Sequence, residues 1–256
     1  MTALEPREAG AFLRELGPRL DAAYGRPRAV LAISAHTQAR ELVALTAARH
    51  HAMYDFGGFD PALYQLRYDA PGAPELADEL RELLGPQLRV LNRAGLDHGI
   101  WTPMRYLYPD ADLPILTLAW PSTASPHALF SLGQKLAPLR EQGVLIMCSG
   151  SLTHNLHLVL KAQPPIDSEE LPECQAFREW FAARSAARDW PALLEYRQSA
   201  PHASLMHPSD EHLLPWYVAA GAGGEEATPK RIHASLTYGC LAMDAYAFGS
   251  DAQQLA

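Results

Sequence analysis

Cysteine is scarce in this sequence, and long apolar runs are missing. The three cysteines, Cys148, Cys174 and Cys240, are odd in number, widely spaced and form no CxxC pair. That pattern argues against a disulfide framework or a thiolate zinc site and fits a reducing compartment. No stretch reaches the about 18 consecutive apolar residues that a membrane span requires. The opening MTALEPREAG is charged and lacks the apolar core of a secretory leader. A cytoplasmic location is the expectation. Basic residues are also in the minority, 21 against 29 acidic, for a net charge of −8. Such a balance favours solubility and argues against a general nucleic-acid or anionic-membrane surface. There is no P-loop and no internal repeat. Gly221-Ala222-Gly223-Gly224 does not follow a strand in GxGxxG form, which leaves a dinucleotide site little support. Cys148-Ser149-Gly150-Ser151 holds nucleophiles near His154 but is not a GxSxG elbow.

What is present is ordinary globular material. The chain has 256 residues, 48% hydrophobic and 20% charged, enough for one α/β domain or two small ones. VLAIS before His36 and GVLIMCSG at 143–150 are continuous apolar runs ending in small residues, the pattern of buried parallel strands. Further strands are expected at 41–47, 113–120, 231–238 and 241–247. Helices are expected at 5–24, 73–84, 126–141, 170–187 and 209–220. The alternation implies an α/β fold with a mostly parallel central sheet flanked by helices. Residues 161–208 read as an insertion. One feature is unusual: an amphipathic helix at 5–24 precedes the first strand, where a wound sheet would supply a parallel strand before it.

Eleven histidines is a high count for this length. His36 and His154 both follow apolar strands, at the rim where open α/β sheets bind ligands. His98 sits in LDHGIW, and His212 in SDEHLLPW at an expected helix start. A plain reading exists for the last: Ser209 caps the helix, and Asp210 and Glu211 complement its dipole. Spacing alone leaves a metal site and ordinary hydrogen-bonding histidines about equally supported.

SAHT at 34–37, YDFGGF at 54–59, YDAPGAPELA at 68–77, LDHGIW at 96–101, YPDADLPILTL at 108–118, SGSLTHN at 149–155 and DEHLLPWYVAAGA at 210–222 occur in that order. Together they resemble the class III extradiol ring-cleavage dioxygenases, specifically the DOPA 4,5-dioxygenase-like branch, across nearly the whole chain. The resemblance implies one extradiol dioxygenase-like catalytic domain over residues 1–256. It further implies a mononuclear non-haem metal, Fe(II), with zinc able to occupy the same ligands. His36 and His212 would be metal ligands, His154 the acid–base residue, and His98 would point at substrate or oxygen. Tyr54, Phe56 and Trp101 would wall the ring of a small aromatic, catechol-type substrate that is opened with O2.

The family's first ligand belongs to an HGSP-type motif at the end of a first strand, and this sequence contains no such motif. The expectation is a chain that starts late, lacks that strand, binds metal more weakly than its relatives and cleaves little catechol. Reading the genomic DNA upstream in frame would decide it. A lost internal strand would expose pairing edges and leave two outcomes, local refolding or a homo-oligomer. The competing functions are a non-catalytic or repurposed small-molecule-binding protein on the same scaffold and, ranked last, a zinc hydrolase using Asp210 or Glu211 as base.

Overall fold

A computed structural model of the chain describes residues 7–255. The start of the expected 5–24 helix and the neighbourhood of Met1 lie outside these residues. In chain order the first part contains α1 (Glu8–Tyr24), β1 (Ala29–Ser34), β2 (Gln38–Ala39), β3 (Val43–Leu45), α2 (Leu76–Leu84), β4 (Arg89–Leu91), α3 (His98–Leu107) and β5 (Ile115–Pro121). Then come α4 (Pro126–Leu136), α5 (Pro138–Glu141) and β6 (Val144–Ser149). The remainder holds α6 (Leu156–Ala162), α7 (Pro172–Ala187), α8 (Trp190–Leu194), α9 (Tyr196–Ser199), α10 (Ala203–Met206) and α11 (Pro215–Gly223). Four short strands follow, β7 (Lys230–His233), β8 (Leu236–Thr237), β9 (Leu241–Ala242) and β10 (Ala245–Ala247), and after them a single 3-10 turn at Ala252–Leu255.

Two compact units result. Met1–Ala124 with Lys135–Ser149 form the first, and Ser125–Gln134 with Gly150–Ala256 the second. The first unit is built on a sheet of order β4-β3-β5-β1-β6, with β2 pairing β5. All its pairings are parallel except β3 with β5. Every residue of β1 is buried, as its unbroken apolar run requires of a strand covered on both faces. Residues of β1 and β6 pair in register from Ala29↔Val144 to Ser34↔Ser149, so both strands end at the same rim. Helix α3 packs on α1 and on β1. Gly17 permits the first contact, because a Cβ there would lie 2.0 Å from the Leu107 carbonyl oxygen.

The second unit is mostly helical, with hairpin-like pairs β7–β10 and β8–β9. Here the glycine cluster finds its purpose. A Cβ on Gly221 would lie 2.0 Å from the Phe130 carbonyl oxygen, and one on Gly133 would lie 2.1 Å from that of Val218. Two helices with backbones this close tolerate no side chain between them. Gly221→Ala should therefore cost about 2–3 kcal/mol through overpacking. A fall in Tm of roughly 5–10 °C in a thermal melt would register it.

Several sequence boundaries shift. The 126–141 helix breaks before Pro138, which starts α5 where its missing N–H is harmless. The 41–47 strand shortens to Val43–Leu45, the part paired with both β4 and β5. The expected strands 231–238 and 241–247 divide into four, and the 161–208 excursion holds much of the second unit's helix.

Candidate active site

In the first unit the site starts where β1 ends. Ser34 is fully buried, the chain turns there, and His36 emerges exposed at the rim. Asp97 organises that turn. Its Oδ1 accepts from Ser34 Oγ at 2.7 Å and from the Gly99 backbone N–H at 2.8 Å, and its Oδ2 accepts from Thr37 Oγ1. Asp97 is also the N-cap of α3, whose first residue is His98. One buried carboxylate thus fixes both the loop bearing His36 and the helix start bearing His98. Their ring centroids lie 4.0 Å apart. Gly99 is part of the arrangement, since a Cβ there would come within 2.6 Å of Ser34 Oγ and 3.2 Å of His36 Cδ2.

Asp55 completes this group. Its Oδ1 accepts from the His98 backbone N–H and faces His98 Nδ1, both at 3.0 Å. Partial burial pushes the Asp55 carboxyl up, but the His98 contacts outweigh it and hold the pKa below the ordinary value. One donor atom each from His36, Asp55 and His98 lies within 4.8 Å of the others. Two imidazoles and a carboxylate are the donor set of a 2-His-1-carboxylate centre and suit a divalent transition metal. Phe56 sets its edge against His98, centroids 5.5 Å apart, and Tyr54 packs on Phe56 at 6.3 Å. Trp101 is fully buried and donates its Nε1–H to the Met53 carbonyl. It therefore backs Tyr54 and Phe56 from beneath.

In the second unit His154 and His212 are brought together. Their rings stack with centroids 3.4 Å apart and planes 11° from parallel. SGSLTHN is braced along its length. Ser151 N–H donates to the His212 carbonyl, Ser151 Oγ to that of Ala242, and Thr153 Oγ1 to that of Cys240. Asn155 caps α6 through the His157 N–H and donates to the Leu205 carbonyl. Gly150 is obligatory, because a Cβ would meet the His212 carbonyl oxygen at 2.1 Å.

The plain reading of His212 needs correction. Helix α11 begins at Pro215, so His212 lies in the preceding turn and Ser209 is not its cap. Ser209 Oγ instead donates to Glu211 Oε1 at 2.9 Å, and the same oxygen faces His212 Nδ1 at 3.0 Å. A carboxylate on Nδ1 orients the ring. Burial raises the Glu211 carboxyl; hydrogen bonds from its own backbone and Ser209, with His212 adjacent, bring it below its usual value. Asp210, the other base considered for a hydrolase, is held by Arg197 and Tyr196.

His207 lies fully buried behind this loop, its Nε2 2.8 Å from the Leu152 carbonyl oxygen. Burial holds its pKa down at about 4, against 6.5 for a free imidazole. Above about pH 6.5 neither the folded nor the unfolded chain protonates it. As pH falls from there towards 4, only the unfolded chain takes up the proton, so stability is lost. The loss should approach roughly 3 kcal/mol. Urea unfolding at pH 7, 5 and 4 should show this decline, and His207→Gln, which can still donate to Leu152, should lack that part of it.

The profile of the family described as "Catalytic LigB subunit of aromatic ring-opening dioxygenase" matches residues 5–249. The chain belongs to the LigB family. Among relatives, the 4,5-DOPA dioxygenase extradiol of Beta vulgaris is 37% identical over 229 residues, covering 88% of this chain and 84% of that protein. The protein of the same name from Escherichia coli (strain K12) is 35% identical, covering 77% and 73%. A solved structure, the "uncharacterized protein JW3007 from Escherichia coli K12", superposes with a TM-score of 0.77 at 28% identity, covering 93% of this chain and 91% of that one. This LigB protein is accordingly an extradiol aromatic ring-opening dioxygenase with the mixed α/β fold and mostly parallel sheet that its strand pattern implies. His36, His98, His154 and His212 are the four histidines that their places in the sequence single out. Asp55 and Asp97 carry a weaker signal, although LDHG, an aspartate directly before the first helical residue, is a cap signature.

Proposed function

We propose that this LigB protein opens the ring of a catechol-type substrate with O2 on a non-haem divalent metal, Fe(II) when active, with zinc able to take its place. The observation that carries the reading is the His36–Asp55–His98 group at the rim of β1, in a chain whose relatives include 4,5-DOPA dioxygenases. When bound, such a metal accepts both catechol oxygens and O2 and lets electron density pass from ring to oxygen.

The chain's own residues do the rest. His36 and His212 are assigned as metal ligands, with Glu211 orienting the His212 ring through its contact with Nδ1. His154 takes a proton from the catechol hydroxyl and later returns one, a task suited to an imidazole because it titrates near neutrality. His98, oriented by Asp55, faces substrate or oxygen. Tyr54 and Phe56 wall the substrate ring, with Trp101 supporting them. A second ligand reading rests on the first unit alone, in which Asp55 and His98 join His36 as a facial set.

The test is oxygen uptake by the full chain loaded anaerobically with Fe(II) and given 3,4-dihydroxyphenylalanine or simpler catechols. Slow uptake of one O2 per catechol, with both atoms in a ring-opened acid–aldehyde, is the expected result, because the proposed ligand set lacks a histidine of the HGSP type. Catechols that bind and remain unconsumed at full iron loading would favour the non-catalytic binding protein.

A further inference from the structure

The aromatic cluster of the first unit extends past the residues already assigned to the substrate ring. Phe56 meets the rings of His98, Tyr54, Trp101, Tyr64 and Phe59, with centroids 5.3–6.5 Å away. Four of these five partners are buried or half-buried. Phe59 is the exception, at 45% exposed. A single exposed phenylalanine is ordinary on a protein surface, but the chain on either side of this one is pinned. Asp55 accepts from the His98 N–H, and the Tyr64 hydroxyl donates to the Phe56 carbonyl at 3.3 Å. Beyond Phe59, Asp60 caps the short 3-10 turn Pro61–Gln65 through the Ala62 N–H, and Leu63 of that turn is buried.

Gly57 and Gly58 form the bend between these anchors. A Cβ on either would meet nothing within 4 Å, so neither glycine is needed for space. Gly58 is needed for conformation, because its φ of +76° disfavours any residue with a side chain. The bend therefore sets Phe59 beside Phe56, on the ring that flanks His98, with much of the phenylalanine still in water.

We propose that Phe59 is a specificity-determining residue of the ring-opening site, its exposed face receiving the side arm of a substituted catechol. The inference rests on the proposed function, in which Tyr54 and Phe56 wall the catechol ring. Two ring contacts, of 5.5 and 5.8 Å, separate Phe59 from His98. A bare catechol held at His98 stays clear of Phe59. An arm of two or three carbons, at about 1.5 Å per bond, extends past Phe56 and reaches it. Arm and phenylalanine then cover each other from water, and each methylene covered is worth roughly a fourfold gain in affinity.

Competition binding to the full chain loaded with Zn(II), which has no redox chemistry and so leaves catechols intact, tests the proposal. 4-Nitrocatechol is the coloured probe, displaced by catechol, 4-methylcatechol and 4-propylcatechol. The parent should prefer 4-propylcatechol to catechol by about tenfold or more. Phe59→Ala should lose most of that preference while its affinity for catechol itself stays within about twofold, and Phe59→Leu should keep part of it. Phe59 is exposed, so both variants should melt with the parent. With Fe(II), Phe59→Ala should raise KM for 4-propylcatechol and leave kcat unchanged. A parent that binds catechols without preferring the longer arm, or a preference that survives in Phe59→Ala, would overturn the inference and leave the ring-opening reading standing. A zinc-loaded parent that binds no catechol, 4-nitrocatechol included, would overturn both.

Discussion

His36→Ala should remove stoichiometric metal from the protein and abolish catechol-dependent oxygen uptake. His36 is common to both ligand readings, so its loss is the largest single effect expected at the site. Changing even the outer partners of a metal ligand costs about 10–100-fold in affinity, and losing the ligand itself should exceed about a hundredfold. The two readings then diverge at other positions. If His36, His98 and Asp55 hold the metal, Asp55→Asn should lose it as completely as His36→Ala does, and His212→Ala should keep it. If His212 is the ligand and Asp55 only orients His98 across the 3.0 Å contact, His212→Ala should lose the metal and Asp55→Asn should lower turnover alone. His154→Gln should keep its metal under either reading while turnover drops about 10²–10⁴-fold, the usual contribution of a positioned acid–base group. Equilibrium dialysis with Fe(II) or Zn(II), followed by elemental analysis and oxygen-electrode rates, separates these outcomes. Full metal content and full turnover in His36→Ala would remove the foundation of both.

How far the sequence revealed this arrangement depends on the kind of signal each part leaves. The unbroken apolar runs of β1 and β6 mark both as parallel strands, and hence the common rim at Ser34 and Ser149; β1 is buried throughout, whereas β6, last in the sheet order, is buried only at Val144 and half-buried beyond it. The placement of His36, His98, His154 and His212 singles them out, and the motif order leads to the family and to their expected roles. Pairings within a unit were not legible. Nothing in HHAMYDFGGF indicates that Asp55 reaches His98, 43 residues away, because that contact depends on how a glycine-rich loop folds back. Glu211 was visible beside His212, but its direction follows from the turn that precedes Pro215. The same holds for the glycines. Gly221 resembles a fragment of a nucleotide loop until α4 is seen to cross it at backbone distance. Proline, by contrast, was informative in retrospect, since Pro138 and Pro215 mark the helix starts that simple periodicity placed elsewhere.

Asp97→Ala should be the most damaging substitution at the site that touches no assigned ligand or acid–base group. The carboxylate is 4% exposed and serves three donors. Removing it uncaps α3, worth about 1 kcal/mol. It also leaves the buried Ser34 hydroxyl and the partly buried Thr37 hydroxyl without their acceptor, at about 1–3 kcal/mol each. The sum is roughly 3–7 kcal/mol, to be read from urea unfolding monitored by hydrogen exchange of the β1 amides. Asp97→Asn should recover most of it. Its carbonyl can still accept at the Oδ1 position, and the Thr37 hydroxyl can rotate to accept from the new amide. Activity distinguishes positioning from stability alone. In Asp97→Ala held well below its unfolding transition, kcat for catechol cleavage should fall more than KM rises, since the His36 loop and the His98 helix start lose their common anchor. Asp97→Asn should restore kcat along with stability. If Asp97→Ala unfolds within about 0.5 kcal/mol of the parent, the size of an ordinary surface change, the carboxylate does not hold the rim together.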